Sequence, residues 1–321
     1  MSGPRRVLVT GAGGFVGANL TRRLLADGHD VTATVRPGAG EWRLDELDGQ
    51  IETVALELAD PDAIARLVSA SRPEWVFHLG AHGAYSWQRE TQRILAVNVL
   101  GTAALADACA AAGCERLVHA GSSSEYGFKD HAPAEDEAVE PNSAYAVGKA
   151  AATHYLSHLA TEGALDAVTL RLYSVYGAWE DPRRLVPTLI ARGLDGALPP
   201  LVDPDTARDY VAVDDVVEAF VAAARATGVP AGAVYNVGTG RQTAMREIVD
   251  VARAELDITA EPDWGTHDPR SWDATTWVAD PSAAHRDLGW SARCDVAEGF
   301  RRTVQWLRST PSAAATYGVR V

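Results

Sequence analysis

A chain of 321 residues with a formal net charge of -14 is long enough to bury a large core and too acidic to favour nucleic acid or an anionic membrane as a partner. Its 47% hydrophobic and 22% charged residues indicate a folded globular protein, not a disordered one. No apolar run of about 18 residues reads as a membrane span and MSGPRR carries no apolar signal region, so the expected location is cytoplasmic. Cys109, Cys114 and Cys294 lack a metal-ligand spacing and are expected to be free thiols, with no metal site.

The first half alternates short β-branched runs with amphipathic stretches. Val7–Thr10 reads as the first strand and residues 14–27 as the helix that follows, stopped near Gly28. Val31–Val35 and Val54–Leu58 are the second and third strands. Asp60-Pro61 looks like an N-cap with proline at the first helical position. Trp75–Leu79 is strand four, residues 91–112 a long Ala-rich helix ending at Gly113, and Leu117–Ala120 strand five. Residues 144–161 form another helix and Val168–Tyr173 strand six. Such a rhythm predicts an α/β fold with a doubly wound parallel sheet, because each crossover lays a helix over one face. After Tyr173 the rhythm weakens, with helices over 214–226, 243–255 and 295–307. The expected division is a dinucleotide-binding domain over 1–173, a smaller mixed substrate domain over 174–308, and a flexible tail over 309–321.

Gly11, Gly14 and Gly17 stand in GAGGFVG, after a strand and opening a helix. The first permits a tight turn, the second lets the backbone approach a pyrophosphate, and the third lets helix pack on strand. Phe15 and Val16 complete the loop. About 20 residues on, where an acidic residue would accept the ribose hydroxyl of NAD, the chain has Arg36, whose planar fork suits a 2′-phosphate. NADP(H) is therefore expected over NAD(H). Glu57 and Leu58, ending strand three, are placed near the adenine.

Tyr145 and Lys149 are four apart on a helix and so share a face. An ammonium near a phenol favours the phenolate, so the tyrosine is expected to titrate nearer neutrality and to serve as acid and base. Ser122, Ser123 and Ser124 follow strand five, at the carboxyl edge where open α/β sheets bind ligands. His82, Tyr85 and Trp87 follow strand four and are candidates to line a pocket. Asp214 and Asp215 open a helix and read as caps.

GAGGFVG, GSSSEYG and YAVGK together resemble the extended short-chain dehydrogenase/reductase family, in its nucleotide-sugar epimerase, dehydratase and reductase branch. The resemblance runs from residue 6 to about 307 and implies a Rossmann sheet. It also implies Tyr145 as acid/base, Lys149 as its partner and ribose ligand, and Ser122 as the serine that bonds the substrate oxygen, with Ser123 the alternative. TLRLYSVYG resembles the strand-six segment, with Ser174 in place of the usual asparagine. ARDYVAVDDV and PRSWDATTWVADPSAAHRDLGW resemble the segments whose arginines, here Arg208 and Arg270, hold a diphosphate through charge-assisted bonds.

Four reactions follow from these residues, in order. The first is NADPH-dependent reduction of a 4-keto nucleotide-diphosphate sugar, which Arg36 supports. The second is 4-epimerisation, which uses the same Ser–Tyr–Lys set. The third is 4,6-dehydration, which needs an acid where the ungapped motif has Ser124; Glu125 would supply it only with a one-residue gap. The fourth is reduction of a non-sugar ketone. A homodimer is expected, built on helices 91–112 and 144–161, whose small side chains permit close approach.

Overall fold

The computed structural model describes residues 3–38, 40, 42–85, 87–266 and 276–319. Seven strands, β1 (Arg6–Thr10), β2 (Asp30–Val35), β3 (Glu52–Ala55), β4 (Trp75–His78), β5 (Arg116–Ser122), β6 (Ala167–Leu172) and β10 (Val234–Val237), form one parallel sheet in the order β10-β6-β5-β4-β1-β2-β3. Alternate side chains of β1 go to opposite cores: Val7 and Val9 to one, Leu8 to the other. The first core is covered by α1 (Phe15–Ala26), α7 (Val213–Arg225) and α9 (Ser282–Leu288). The second lies under α2 (Pro61–Ser71), α4 (Gly101–Ala112) and α5 (Ala144–Thr161). The expected doubly wound Rossmann sheet is present. Strand order reverses between β1 and β4, so the ligand crevice falls at their carboxyl ends.

Local signals set several boundaries. The Asp60 side chain accepts from the Ala63 amide at 3.0 Å, and Pro61 opens α2; such a cap is worth about 1 kcal/mol. Ser143 caps α5 in the same way through the Ala146 amide. Strand three, expected over Val54–Leu58, runs instead over Glu52–Ala55. It is the sheet edge, paired only with β2 from Thr32↔Glu52 to Val35↔Ala55, and its exposed Glu52 and Thr53 carry no hydrophobic signature. Glu57 and Leu58 therefore belong to the loop beyond it.

The helix expected over 91–112 is interrupted. α3 (Thr91–Leu95) passes through a π-helical turn, Ala96–Leu100, before α4. By length and hydropathy the whole span Thr91–Ala112 is apolar enough to cross a bilayer, contrary to the sequence expectation; here it packs against α2 and α5.

The division at residue 173 is not clean. β10, α7 and α9 lie beyond it in sequence yet complete the first sheet and its core. A third core gathers β7 (Ser174–Tyr176), β9 (Tyr210–Ala212), α6 (Leu185–Leu194), α8 (Met245–Leu256), α10 (Val296–Ser309) and α11 (Pro311–Thr316). Two short strands, β8 (Ala207–Arg208) and β11 (Thr243–Ala244), pair antiparallel beside it. Where a flexible tail was expected, the described residues carry a short helix. α11 buries Ala313 and Ala314, and the Tyr317 hydroxyl donates to the Glu180 carbonyl, so small apolar side chains anchor this end.

Candidate active site

The cofactor loop joins β1 to α1 at the switch point. Gly11 has φ +71°, and a Cβ there would stand 2.6 Å from the Gly80 amide nitrogen beyond β4. Gly14 is the N-cap of α1, its amide donating to the Gly11 carbonyl at 2.9 Å. A Cβ on Gly17 would lie 2.2 Å from that same oxygen. No larger residue fits at Gly11 or Gly17, and the first-turn amides of α1 at Phe15 and Val16 open toward the crevice where a dinucleotide phosphate would sit. These residues fit a dinucleotide.

Arg36 follows β2 and is exposed. It acts electrostatically on Glu57, whose carboxylate accepts from the Ala59 amide at 3.0 Å and from Arg93 at 2.5 Å. Burial works against the Glu57 charge, but those donors outweigh it and hold its pKa below the ordinary value. Glu57 is thus already paired, a partner that sequence spacing did not indicate. The Leu58 carbonyl lies 2.3 Å from where a Cβ on Gly101 would be, so the loop after β3 is pressed onto the start of α4.

Lys149, on the buried face of α5, donates from Nζ to the Ala120 carbonyl of β5 at 2.8 Å. Burial lowers its pKa to about 8, with Glu125 pulling the other way. Tyr145 lies one turn earlier. Burial pushes its phenol up to about 12, opposed by a hydrogen bond with Ser122, raised further by Glu125 and lowered by Arg184. The expected lowering toward neutrality is therefore corrected: desolvation is the largest influence, and Lys149 is turned to a backbone carbonyl.

The serine run splits into different roles. Ser122 ends β5 with its Oγ 2.7 Å from that of Ser124 and faces Tyr145. Ser123 is buried and turned toward a small cavity bordered by Tyr126, Tyr173 and Trp277. Of the two, Ser122 is brought to the phenol. Glu125 is fully buried, accepting from the Ser122 amide at 2.8 Å and the Arg171 guanidinium at 3.0 Å. A carboxylate locked this way positions the serine loop and has no path to a substrate.

The loop after β4 forms the facing wall. The His82 amide and carbonyl are clasped by the Asn98 carboxamide, both bonds 2.8 Å. Asn98 sits inside the π turn, where an extra residue re-aims the side chain. The rings of Tyr85 and Trp87 stack at 4.6 Å, with the Arg183 guanidinium 4.0 Å over Trp87. Arg184, before α6, lies 5.9 Å from the Tyr85 ring. Beneath the site, buried His78 is held between Thr10 and Thr102 at 2.6 and 2.9 Å, its ring tilted 32° against that of buried His119 at 5.1 Å. Burial drops the His78 pKa to about 3, so the ring is neutral packing.

Of the residues expected to touch substrate, Ser174 is half-buried on β7, its amide donating to the Asp209 carbonyl. Arg208 lies 5.2 Å from the Trp277 ring on β8. Arg270 lies outside the described residues. Asp215, read as a cap, instead accepts from the Arg293 and Cys294 amides and ties down the segment that leads into α10. Arg184 and Arg171 are not singled out by the sequence. Glu125 enters there only as an acid for dehydration, and Asn98, a polar residue inside an apolar helix, reads as structural, which its clasp on the His82 backbone bears out.

Residues 7–238 match the model of the NAD dependent epimerase/dehydratase family. The UDP-glucose 4-epimerase of Mycolicibacterium smegmatis is 36% identical over 314 residues, covering 95% of this chain and 99% of that one. The dTDP-6-deoxy-L-talose 4-dehydrogenase (NAD(P)(+)) of Kitasatospora kifunensis is 31% identical, covering 93% and 94%. The crystal structure of the Thermotoga maritima UDP-glucose 4-epimerase with UDP-glucose superposes with a TM-score of 0.86 at 28% identity, over 95% of this chain and 99% of that one. With the glycine loop at the sheet's switch point and Tyr145, Lys149 and Ser122 gathered at its edge, these likenesses make the chain a member of the NAD-dependent epimerase/dehydratase family, an enzyme of nucleotide-sugar chemistry.

Proposed function

We propose that the chain exchanges a hydride at carbon 4 of a nucleotide-diphosphate hexose, with 4-epimerisation as its net reaction. The observation that carries this is Tyr145 placed on α5 one helical turn from buried Lys149, which is anchored to the β5 carbonyl two residues before Ser122. A bound nicotinamide supplies the hydride exchange. As the phenolate, which the positive charges of an oxidised nicotinamide and of Lys149 would favour over the protonated state that burial imposes, Tyr145 takes the proton of the 4-hydroxyl when the sugar is oxidised and returns it when the ketone is reduced. Ser122 holds the same oxygen, and Lys149 keeps a positive charge under the site. Arg208 is the proposed ligand of the diphosphate. Dehydration ranks below both hydride reactions, since Glu125 is sealed between the Ser122 amide and Arg171. The mycobacterial relative's activity weighs for epimerisation.

A second reading is reduction of a 4-keto nucleotide sugar with NADPH. Exposed Arg36 at the end of β2 favours it, because a guanidinium there suits a 2′-phosphate. Two assays separate the readings. One follows interconversion of UDP-glucose and UDP-galactose with NAD; the other follows NADPH oxidation with a dTDP-4-keto-6-deoxyhexose. Turnover in the first supports the epimerase, turnover in the second alone supports the reductase, and turnover in neither sinks both. Arg36→Asp is expected to move the ratio of NADP to NAD dissociation constants at least tenfold toward NAD, about 1.4 kcal/mol; an unchanged ratio refutes a cofactor role for Arg36.

A further inference from the structure

The segment between β7 and α6 places two arginines against the loop after β4, Arg183 over Trp87 and Arg184 beside Tyr85, and their circumstances differ. Arg183 is neutralised: its Nε and Nη2 atoms donate to the two oxygens of Asp181 at 2.9 and 2.8 Å. Arg184 has no such clamp. Its nearest carboxyl is Glu180, with Nε to Oε1 at 3.9 Å, too far for a hydrogen bond. The Glu180 side chain is 7% exposed and that of Arg184 49%. One Glu180 oxygen has no hydrogen-bond partner, and burial pushes the acid up to about 8, so near pH 7 it is mostly a neutral carboxylic acid. The Arg184 side chain is half-exposed, its guanidinium lies 5.9 Å from the Tyr85 ring, and its charge pulls the Tyr145 phenol down. A half-exposed cation so placed, with no ionised partner in bonding range among the described residues, is built for an anion delivered from outside.

We propose that Arg184 is a substrate-binding residue that takes an anionic oxygen of the nucleotide sugar. The proposal rests on the nucleotide-sugar reading above. The anionic oxygen has two sources: a phosphate of the diphosphate, or a carboxylate on the sugar. Either would make charge-assisted bonds with a guanidinium whose position is set by the Tyr85 face and the start of α6.

The test is calorimetry of the full chain with UDP, dTDP, CDP, GDP, UDP-glucose and UDP-glucuronic acid, on wild type, Arg184→Gln and Arg184→Lys. NAD and NADP dissociation constants, measured in parallel, report that the fold is intact. If Arg184 takes a phosphate, Arg184→Gln weakens every diphosphate that wild type binds by roughly tenfold to a hundredfold, and Arg184→Lys recovers part of the loss. If it takes a sugar carboxylate, Arg184→Gln weakens UDP-glucuronic acid alone and leaves UDP-glucose as in wild type. Wild-type binding that Arg184→Gln leaves unchanged for all ligands overturns the role of Arg184 while the nucleotide-sugar reading stands. Failure of wild type to bind any of them overturns both.

Discussion

Tyr145 and Glu180 show how burial governs protons in this site. Tyr145 sits at about 12 with Ser122 and Arg184 pulling it down, so as an acid it holds its proton across the physiological range until a substrate oxygen shares it. Tyr145→Phe removes that single proton at nearly constant volume. Turnover should fall by roughly 10²–10⁴-fold with cofactor dissociation constants unchanged; turnover within about tenfold of wild type would show another group moving the proton. Glu180 makes a prediction of a different kind. Unfolded, it titrates at the ordinary 4.5; folded, at about 8, because burial outweighs the pull of Arg184 and Arg43 and the push of Asp181 adds to it. Between those values the folded state keeps a proton that the unfolded state has released, so the stability this group contributes is present below 4.5 and lost as pH rises through 8. Glu180→Gln never ionises. Its Tm should therefore fall less than that of wild type between pH 5 and pH 9, and parallel Tm curves would refute the burial of this acid.

Among the elements, what could be read in the sequence follows from periodicity and caps. α2 and α5 begin where Asp60-Pro61 and Ser143 put their caps, and α5 carries Tyr145 and Lys149 one turn apart as their spacing demands. The glycine loop was legible because its glycines are required by backbone approach, with contacts of 2.6 and 2.2 Å for any added Cβ at Gly11 and Gly17. The π turn was not legible, since Ala96–Leu100 has the same apolar pattern with or without an inserted residue. It matters, because it turns Asn98 onto the His82 backbone and so fixes the wall opposite Tyr145. The edge strand β3 was misplaced because an exposed edge carries no hydrophobic run. Arg184 lies in a stretch with two neighbouring prolines, Pro182 and Pro187, where no period exists to say which way a side chain points. Long-range partners such as Glu125 with Arg171 depend on strand pairing and leave no local trace.

For the molecule as a whole, the largest unexplained feature is one apolar surface. Leu95 and Leu100, at the two ends of the π turn, are 36% and 67% exposed, and Val147 on the neighbouring α5 is 44% exposed. α3, the π turn and α5 pack against one another, so the three side chains belong to neighbouring helices. The span Thr91–Ala112 is apolar enough to enter a membrane, yet only 44% of its most apolar window is buried within the chain. Leaving such a face in water is costly, since each buried leucine is worth about 1.5–3 kcal/mol. A second copy related by a two-fold axis would cover it, setting four helices side by side with small residues at the seam. We propose that the chain is a homodimer through α3–α4 and α5. The π turn and Asn98 lie on these helices, so the interface and the His82 wall would share a scaffold. Sedimentation at micromolar concentration should give a dimer for wild type. Leu100→Glu, which places a charge on an already exposed side chain and so spares the core, should give a folded monomer that still binds cofactor, with a Tm below that of the wild-type dimer. A monomeric wild type, or a Leu100→Glu variant that remains dimeric, would put the interface elsewhere or remove it.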